Sequence, residues 1–235
     1  MIFIGIDDTD ILGSRGTNQL ARAIVRAASD GWRCLRIVRH QLLDDPRIPY
    51  TSKNGSASIT LEARDTRGLS PLIELCRGVM RDWFIQGSDP GLCVTDVVPA
   101  AVTQFGWRCK QEIVTQQDAR LLASEYGLHL EGLGGTEGGV IGSLAAVGLA
   151  VTGNDGRIVQ LGEWPDDLSG VQSVEVLKSR GVEVENLDDA SAVTEGLIDV
   201  GKHLRPNRRS GRNVLFVRSE STASEPTPYQ AIRLT

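Results

Sequence analysis

The amino-acid sequence predicts an α/β fold. An apolar run from Ile2 to Ile6 predicts a short buried strand, and it leads directly into a loop that carries three aspartates. A stretch with helical spacing and a second strand follow, and this order of strand, helix and strand is typical of α/β proteins. A later strand–helix–strand segment, between about residues 56 and 100, predicts a small α+β subdomain inserted into this unit.

The first helix is expected directly after the aspartate loop. Leu20, Ile24 and Ala28 recur at helical spacing, which predicts a helix over about 18–29. Thr17 stands just before it, where a threonine side chain commonly caps a helix. Residues 41–55 combine prolines with small polar residues and are predicted to form a loop.

Hydrophobic periodicity predicts the remaining elements. Strands are expected over 35–40, 56–62, 92–98, 158–161, 182–184 and 213–217, and helices over 70–86, 116–126, 140–149 and 171–180. Residues 128–130 lead into a glycine-rich segment. The alanine-rich helix over 140–149 is expected to pack closely on a sheet, because its side chains are small. Beyond residue 219, a Ser/Thr/Pro/Glu-rich composition predicts a loose tail.

Composition narrows the class of protein. Hydrophobic residues make up 40% of the chain and charged residues 23%, as in ordinary soluble proteins. There is no run long enough to span a membrane and no signal peptide, so we expect no membrane partner. Four scattered cysteines without a C-x-x-C pair predict a reducing, cytoplasmic setting. The net charge of −5 excludes a wholly basic surface but allows a local basic patch.

The aspartate loop is the first candidate for chemistry. Asp7, Asp8 and Asp10 repel one another, and something must offset that repulsion in the folded chain. Mg²⁺ is the natural candidate, because it needs only one or two protein carboxylates together with phosphate oxygens. The alternative is a solvated acidic turn whose side chains cap the next helix.

A glycine-rich segment, 132–142, is the second candidate. Glycines let backbone N–H groups approach a polyphosphate, and the N-terminus of the following helix adds a favourable dipole. The residues expected to contact the nucleotide are Gly134, Gly135, Thr136, Glu137, Gly138 and Gly139, and the acidic member is also a candidate metal ligand. The alternative is a turn that packs a helix tightly on a sheet. Val140 and Ile141 replace the lysine and serine or threonine of a P-loop, so this is not that motif.

A basic cluster near the C-terminus is the third candidate. It runs from Lys202 to Arg212 without an acidic residue, and Arg205 and Arg212 are its candidate phosphate ligands. A solvated positive loop is the commoner structure for such runs, whereas contact with ATP or with an RNA backbone is the alternative. Metal, backbone cradle and guanidinium together would make a phosphoryl-transfer site.

Five motifs, in this order along the chain, resemble those of the archaeal isoleucine-tRNA agmatinylcytidine synthetases. They are Ile4-Gly5-Ile6-Asp7-Asp8-Thr9-Asp10, Ile48-Pro49-Tyr50, Ser88-Asp89-Pro90-Gly91, the segment 132–142, and Arg205-Pro206 with Ser210-Gly211-Arg212. The resemblance spans about residues 1–217. It implies a kinase-like nucleotide domain over 1–55 and 116–218, an inserted ferredoxin-like subdomain over 56–115, and a loose tail over 219–235.

The resemblance also implies an activity. Enzymes of this family use ATP and Mg²⁺ to phosphorylate the C2 carbonyl oxygen of a cytidine, and agmatine then displaces the phosphate. The family's acidic motif corresponds to Asp7, Asp8 and Asp10, which are therefore the expected metal ligands and catalytic residues. Its phosphate loop corresponds to 134–139, and its threonine after the acidic loop corresponds to Thr17.

Full-length members of that family also carry an OB-fold and a zinc ribbon, which hold the tRNA. This chain has no cysteine pair for a zinc ribbon, so we expect neither module, and a tRNA acceptor would then require a partner for RNA binding. Two other hypotheses stay open: an ATP-dependent enzyme with a small-molecule acceptor, and a nucleotide-binding protein without catalysis. The sequence does not fix the oligomeric state.

Overall fold

One mixed β-sheet with helices on both faces forms the fold. The computed structural model describes residues 1–48, 53–164, 166–219 and 228–234, and within these ranges the chain forms twelve strands and six helices. The predicted α/β class is confirmed. The proline-containing motif at 48–50 lies mostly outside the described residues.

The element bounds are as follows. The strands are β1 (Ile2–Asp7), β2 (Trp32–Gln41), β3 (Gly55–Ala63), β4 (Gly91–Thr95), β5 (His129–Gly132), β6 (Arg157–Leu161), β7 (Val171–Ser173), β8 (Glu183–Asn186), β9 (Leu197–Asp199), β10 (Asn207–Arg209), β11 (Arg212–Arg218) and β12 (Tyr229–Ile232). The helices are α1 (Thr17–Ala28), α2 (Leu69–Asp82), α3 (Ala100–Gln111), α4 (Gln116–Glu125), α5 (Val140–Thr152) and α6 (Val174–Ser179). The strand order is β5-β4-β1-β3-β2-β6-β10-β11-β12-β9-β7, with β8 beside β11.

Strand β1 is the centre of the N-terminal half. It pairs antiparallel with β3 on one side and β4 on the other, with Ile4 opposite Ile59 and Val94. Because successive side chains of a strand point to opposite faces, β1 contributes to two cores. Ile4 packs in a core with α1 and α2, whereas Phe3 packs in a core with α3 and α5.

Helix α5 lies directly on this sheet. Most of its residues are buried, and it contacts β1, β3 and β4 on one side and α3 on the other. The predicted close packing of a small-residue helix is confirmed. At Gly148, an added Cβ would lie 2.1 Å from the carbonyl oxygen of Val102 in α3, so the two helices touch through their backbones.

The C-terminal strands form a third core. Val174, Leu177, Val184, Ile198 and Leu215 are among its buried members. This part joins the N-terminal half through β6, which pairs antiparallel with β2 and with β10. The sheet therefore continues from one half into the other.

A buried polar network ties β2 to α3 and to the turn before β6. His40 Nδ1 lies 2.8 Å from Asp155 Oδ2, and its Nε2 lies 2.8 Å from Ser58 Oγ. Lys110 Nζ lies 2.8 Å from Asp155 Oδ1. Burial alone would raise the pKa of Asp155, but the hydrogen bonds from His40 and Lys110 outweigh it, so this pKa is lowered from its ordinary value.

Several predicted elements differ from the structure. Helix α3 was not predicted, because residues 100–111 include glycine, threonine and aromatic residues, which are poor helix formers, and packing on α5 overrides that preference. The helix predicted over 171–180 begins with strand β7. Gly16, not Thr17, occupies the N-cap position of α1. Within the predicted loose tail, residues 229–232 form β12, which pairs with β11 and β9.

The division into a discontinuous domain and an inserted subdomain stays a prediction. β3 and β4, from the segment 56–115, flank β1 in the same sheet. No helix in the described ranges is both long and apolar enough to cross a membrane.

The contact between α3 and α5 gives a stability test. We expect Gly148→Ala to lower the free energy of unfolding by about 1–3 kcal/mol, because the new methyl group overlaps backbone atoms of α3. Gly78→Ala in α2 is the matched control. Nothing lies within 4 Å of a Cβ there, so higher helix propensity should leave stability unchanged or raise it by up to about 1 kcal/mol. Urea unfolding followed by circular dichroism measures both, and equal effects of the two substitutions would contradict the packing described.

Candidate functional site

The aspartate loop and the glycine-rich segment meet at one cavity. The cavity has a volume of about 280 Å³ and lies where β1 ends and α5 begins. Its polar lining includes Asp7, Asp8, Asp10, Lys53, Asn54, Asp89, Glu112, Gln116, Thr136, Gly138 and Gly142. The predicted metal-binding loop and the predicted phosphate-binding segment, which are far apart in sequence, thus line the same cavity.

Asp89 holds the two segments together. Its N–H donates to the carbonyl oxygen of Asp8 at 3.1 Å, and its own carbonyl oxygen accepts from the N–H of Gly139 at 2.9 Å. Its carboxylate Oδ1 accepts from the N–H of Thr136 at 2.5 Å. Asp89 belongs to one of the family-like motifs, but sequence reasoning did not assign it to the site. The signal was present, since an aspartate before Pro-Gly stands at the start of a predicted strand.

Two glycines allow the close approach of these segments. A Cβ on Gly142 would lie 1.8 Å from Asp7 Oδ2, so the first turn of α5 packs against this carboxylate. Gly135 has a φ of 59°, a left-handed conformation that favours glycine, and its Cβ would lie 1.8 Å from Asp89 Oδ1. The glycine-rich segment therefore fits around carboxylates as well as offering backbone N–H groups.

The backbone donors of this segment are largely used within the protein. The N–H groups of Thr136, Glu137 and Gly139 each have an acceptor. The N–H groups of Gly135 and Gly138 donate to no acceptor in the portion of the chain that the structure covers. Gly138 also lines the cavity, so its N–H is the donor best placed for an anionic ligand.

Burial and mutual repulsion perturb the aspartates. Burial, together with the charges of Asp8 and Asp10, raises the pKa of Asp7 to about 7. Burial, followed by the charges of Asp89 and Asp10, raises the pKa of Asp8 to about 6. Asp8 also has a φ of 49°, in the left-handed region that few non-glycine residues occupy. Strained, repelling carboxylates in a cavity are a common property of sites that bind a cation.

Thr17 orients one of these carboxylates. Its hydroxyl donates to Asp10 Oδ1 at 3.1 Å and accepts from the hydroxyl of Thr9 at 3.0 Å. Thr17 is the first residue of α1, so the start of that helix fixes the aspartate loop. The threonine singled out from the sequence therefore lies beside the predicted metal ligands, and its contact is with Asp10.

Several predicted residues are not among those that line the cavity, including Gly134, Gly135 and Gly139 of the glycine-rich segment. Glu137 forms an ion pair with Arg120 and is not among the cavity-lining residues. Arg205 makes two hydrogen bonds of 2.7 Å to the carboxylate of Asp166, and Arg212 lies 2.8 Å from Glu183. The structure does not bring these two arginines to the cavity lining.

Lys53 supplies the positive charge at the cavity instead. It is exposed, lines the cavity, and has no carboxylate within ion-pair distance in the described part of the chain. Sequence reasoning placed it in a polar loop and gave it no role. The stretch Thr51-Ser52-Lys53-Asn54-Gly55, one lysine among small polar residues, was the available signal.

The carboxylates suit a divalent cation by charge. Across the four described ranges, no group of three or more Asp, Glu, His or Cys side chains is arranged to enclose a metal ion by itself. Mg²⁺ does not require such a group, because it usually binds one or two carboxylates together with water and phosphate oxygens. Burial and the neighbouring aspartates raise the pKa values of Asp7 and Asp8 because they disfavour the ionised carboxylates, and a cation with phosphate ligands would favour the ionised forms again.

The chain resembles known proteins in its three-dimensional structure. No protein-family model and no curated protein matches the chain. Among solved structures, a tRNA fluorescent labeling enzyme superposes with a TM-score of 0.56, at 25% identity, over 63% of this chain and 35% of its own. TiaS, described as tRNAIle2 agmatidine synthetase, superposes in its apo form with a TM-score of 0.53 at 24% identity. The superposition covers 63% of this chain and 35% of TiaS.

A complex of TiaS with tRNA(Ile2) and ATP superposes with a TM-score of 0.51, at 23% identity, over 63% of this chain and 36% of its own. Over the superposed 63% of its residues, the chain shares their fold. It spans about a third of the length of these structures. The family resemblance found in the motifs is thus confirmed for the fold.

The raised pKa of Asp7 gives a pH-dependent stability test. Between pH about 4 and 7 the folded protein keeps a proton on Asp7 that the unfolded chain has lost, so the free energy of unfolding falls as pH rises. Asp7→Asn removes this effect. We expect the variant to exceed the wild type in stability by about 1–4 kcal/mol at pH 8 and by much less at pH 5.

Denaturant unfolding in EDTA at the two pH values measures the difference. The control is Asp96→Asn, which removes the same charge at an exposed position outside the cavity lining. If the wild type were more stable than Asp7→Asn at pH 8, burial of the ionised Asp7 carboxylate would not destabilise the folded protein, and the prediction would be wrong.

Proposed function

We propose that this chain is the ATP- and Mg²⁺-dependent catalytic part of a tRNA-modifying enzyme. In the proposed reaction, a carbonyl oxygen of a cytidine base attacks the γ-phosphorus of ATP and ADP leaves. An amine then attacks the activated carbon, inorganic phosphate leaves with the C–O bonding pair, and the amine loses a proton. The observation that carries the proposal is the meeting of the aspartate loop and the glycine-rich segment at one cavity.

The chain's own residues divide the work in this proposal. Asp7 and Asp8, supported by Asp10 and Asp89, would hold Mg²⁺, which neutralises phosphate charge during phosphoryl transfer. The hydroxyl of Thr17 keeps Asp10 in place.

The phosphates would meet the other side of the cavity. The N–H of Gly138 would donate to a phosphate oxygen, and Lys53 would neutralise part of its charge. Glu137 would act indirectly, because its pairing with Arg120 fixes the glycine-rich segment.

The comparisons support the substrates proposed. The structure of TiaS that shares this fold was solved with tRNA(Ile2) and ATP, and the other neighbour is a tRNA fluorescent labeling enzyme. The second candidate is an ATP-dependent enzyme with a small-molecule acceptor. The net charge of −5 favours it, since an acidic surface repels a polyanion over most of its area.

Asp8 gives the direct test of the enzymatic proposal. We expect Asp8→Asn to lower ATP turnover by about 100-fold or more, because a metal-binding charge is lost where negative charge develops. The fold should persist, since the change removes a repelling carboxylate. Phosphate release is measured with tRNA transcripts or with small carbonyl compounds plus an amine, and EDTA should abolish it. Asp30→Asn, at an exposed position in the turn before β2, is the control.

The outcomes separate the candidates. Turnover that requires tRNA supports the tRNA-modifying enzyme, and turnover with a small acceptor supports the second candidate. ATP binding without turnover under any condition would indicate a nucleotide-binding protein. Turnover by Asp8→Asn equal to that of the wild type would contradict the metal site.

A further inference from the structure

Four arginines cluster where the two halves of the sheet join. They are Arg39, Arg157, Arg205 and Arg233, and we call them the arginine stripe. Arg39 in β2 is directly opposite Arg157 in β6, so two positive residues face each other across adjacent strands. Asn207, the register partner of Arg157 in β10, donates to the carbonyl oxygen of Leu234, which brings the adjacent Arg233 close. Arg205 shares Asp166 with Arg22, which also donates to the carbonyl oxygen of Val159 in β6.

The centre of the stripe lacks a negative partner. Arg157 is half-buried, its Nε is buried without a hydrogen-bond acceptor, and no ion pair joins Arg39 or Arg157 to a carboxylate in the described segments. Burial, followed by the charges of Arg39, Arg233 and Arg205, lowers the pKa of Arg157. Like charges directly opposite on neighbouring strands are destabilising, and a buried unpaired donor adds to that cost. Such an arrangement is expected where an anion binds.

The two ends of the stripe differ in their surroundings. The charge of Arg205 is neutralised by a carboxylate, whereas Arg39 lies on the side of the aspartates. Asp166 accepts hydrogen bonds from Arg205 and from Arg22 in α1, so one carboxylate is shared between two arginines. At the other end, Arg39 is attracted by the charges of Asp10 and Asp7, which line the cavity. Arg233 is exposed. The stripe is therefore accessible at the C-terminal strands, and at its other end Arg39 lies towards the aspartates without lining the cavity itself.

We propose that the arginine stripe binds the phosphodiester backbone of an RNA chain and guides it to the aspartate-lined cavity. The tRNA identity of this ligand rests on the function proposed above. A row of guanidinium groups fits successive phosphates, because each can donate two hydrogen bonds to one phosphate. A nucleoside triphosphate is the less suitable ligand, since its phosphates have donors and a lysine at the cavity itself. The stripe also shows how a chain of net charge −5 binds a polyanion locally.

The experiment compares RNA affinity with stability in the same variants. Binding of a fluorescently labelled tRNA transcript is measured by anisotropy at several salt concentrations, without nucleotide or metal. We expect Arg157→Gln to weaken binding by about tenfold and to reduce the slope of log K against log[salt] by about 0.7–0.9, as for one lost phosphate contact. Arg233→Gln, at the exposed end, should act in the same direction. Arg33→Gln removes the same charge from β2 at an exposed residue paired with Glu62, and it should leave affinity unchanged.

Thermal unfolding, measured with and without tRNA, distinguishes a role of Arg157 in RNA binding from a role in stability alone. Because Arg157 faces Arg39 without a counter-charge, Arg157→Gln should unfold at the wild-type temperature or above, while tRNA should protect it less than it protects the wild type. If Arg157→Gln unfolds at a lower temperature than the wild type, the tRNA affinity of Arg233→Gln tests the inference instead.

Wild-type affinity for tRNA in both variants, or no tRNA binding by the wild type, would overturn the inference. It would also be overturned if the two variants lost binding of labelled ATP and kept binding of tRNA. Failure of the enzymatic proposal is seen separately, as absent ATP turnover in a wild type whose tRNA binding still depends on the stripe.

Discussion

The contact of the start of α5 with the end of β1 and the start of β4 determines the rest of the site. There the N–H of Gly139 donates to the carbonyl oxygen of Asp89, and a Cβ on Gly91 would lie 2.0 Å from the backbone carbon of Gly139. No side chain fits between the helix and these strands. Backbone therefore packs on backbone, and the carboxylate of Asp7 is enclosed beside Gly142.

This close packing has an electrostatic consequence. Removing Asp7 and Asp8 from water disfavours their ionised forms, and their neighbours Asp10 and Asp89 add repulsion. The left-handed backbone of Asp8 adds local strain. A protein that needed only stability would place apolar or hydrogen-bonding side chains there. The same packing that holds the sheet and α5 together thus creates a pocket of concentrated negative charge, which the proposed cation and its phosphate ligands would balance.

The join between the two halves of the sheet shows a similar pattern on the other side of β2. His40, Asp155 and Lys110 form a network in which each charged or polar group has a partner, and it fixes the turn into β6. On the neighbouring strands β2 and β6, neither Arg39 nor Arg157 forms an ion pair within the described part of the chain. Arg39 donates to Gln41 Oε1 at 3.4 Å, and the buried Nε of Arg157 has no acceptor. The satisfied network makes the join rigid, and the unsatisfied arginines make its surface suited to an anion.

The sequence by itself determined the local elements and the chemical character of the site. Periodicity placed most strands and helices, because side-chain burial on one face depends on short-range spacing. The aspartates of the first loop and the glycines of the later segment stood out as candidates, since few residue types can hold a cation or approach a phosphate closely, and the structure brings the two segments to one cavity. Helix α3 was missed because its propensity is weak and its packing on α5 is not visible in residues 100–111.

Only the tertiary structure decided which candidates stand together. It placed Asp89 and Lys53 at the cavity and paired Arg205 with Asp166, and none of these contacts follows from local spacing. It also set Arg39 opposite Arg157, a relation fixed by strand register. Register and helix–sheet contacts join residues far apart in the chain, so their outcome depends on the packing of the whole fold.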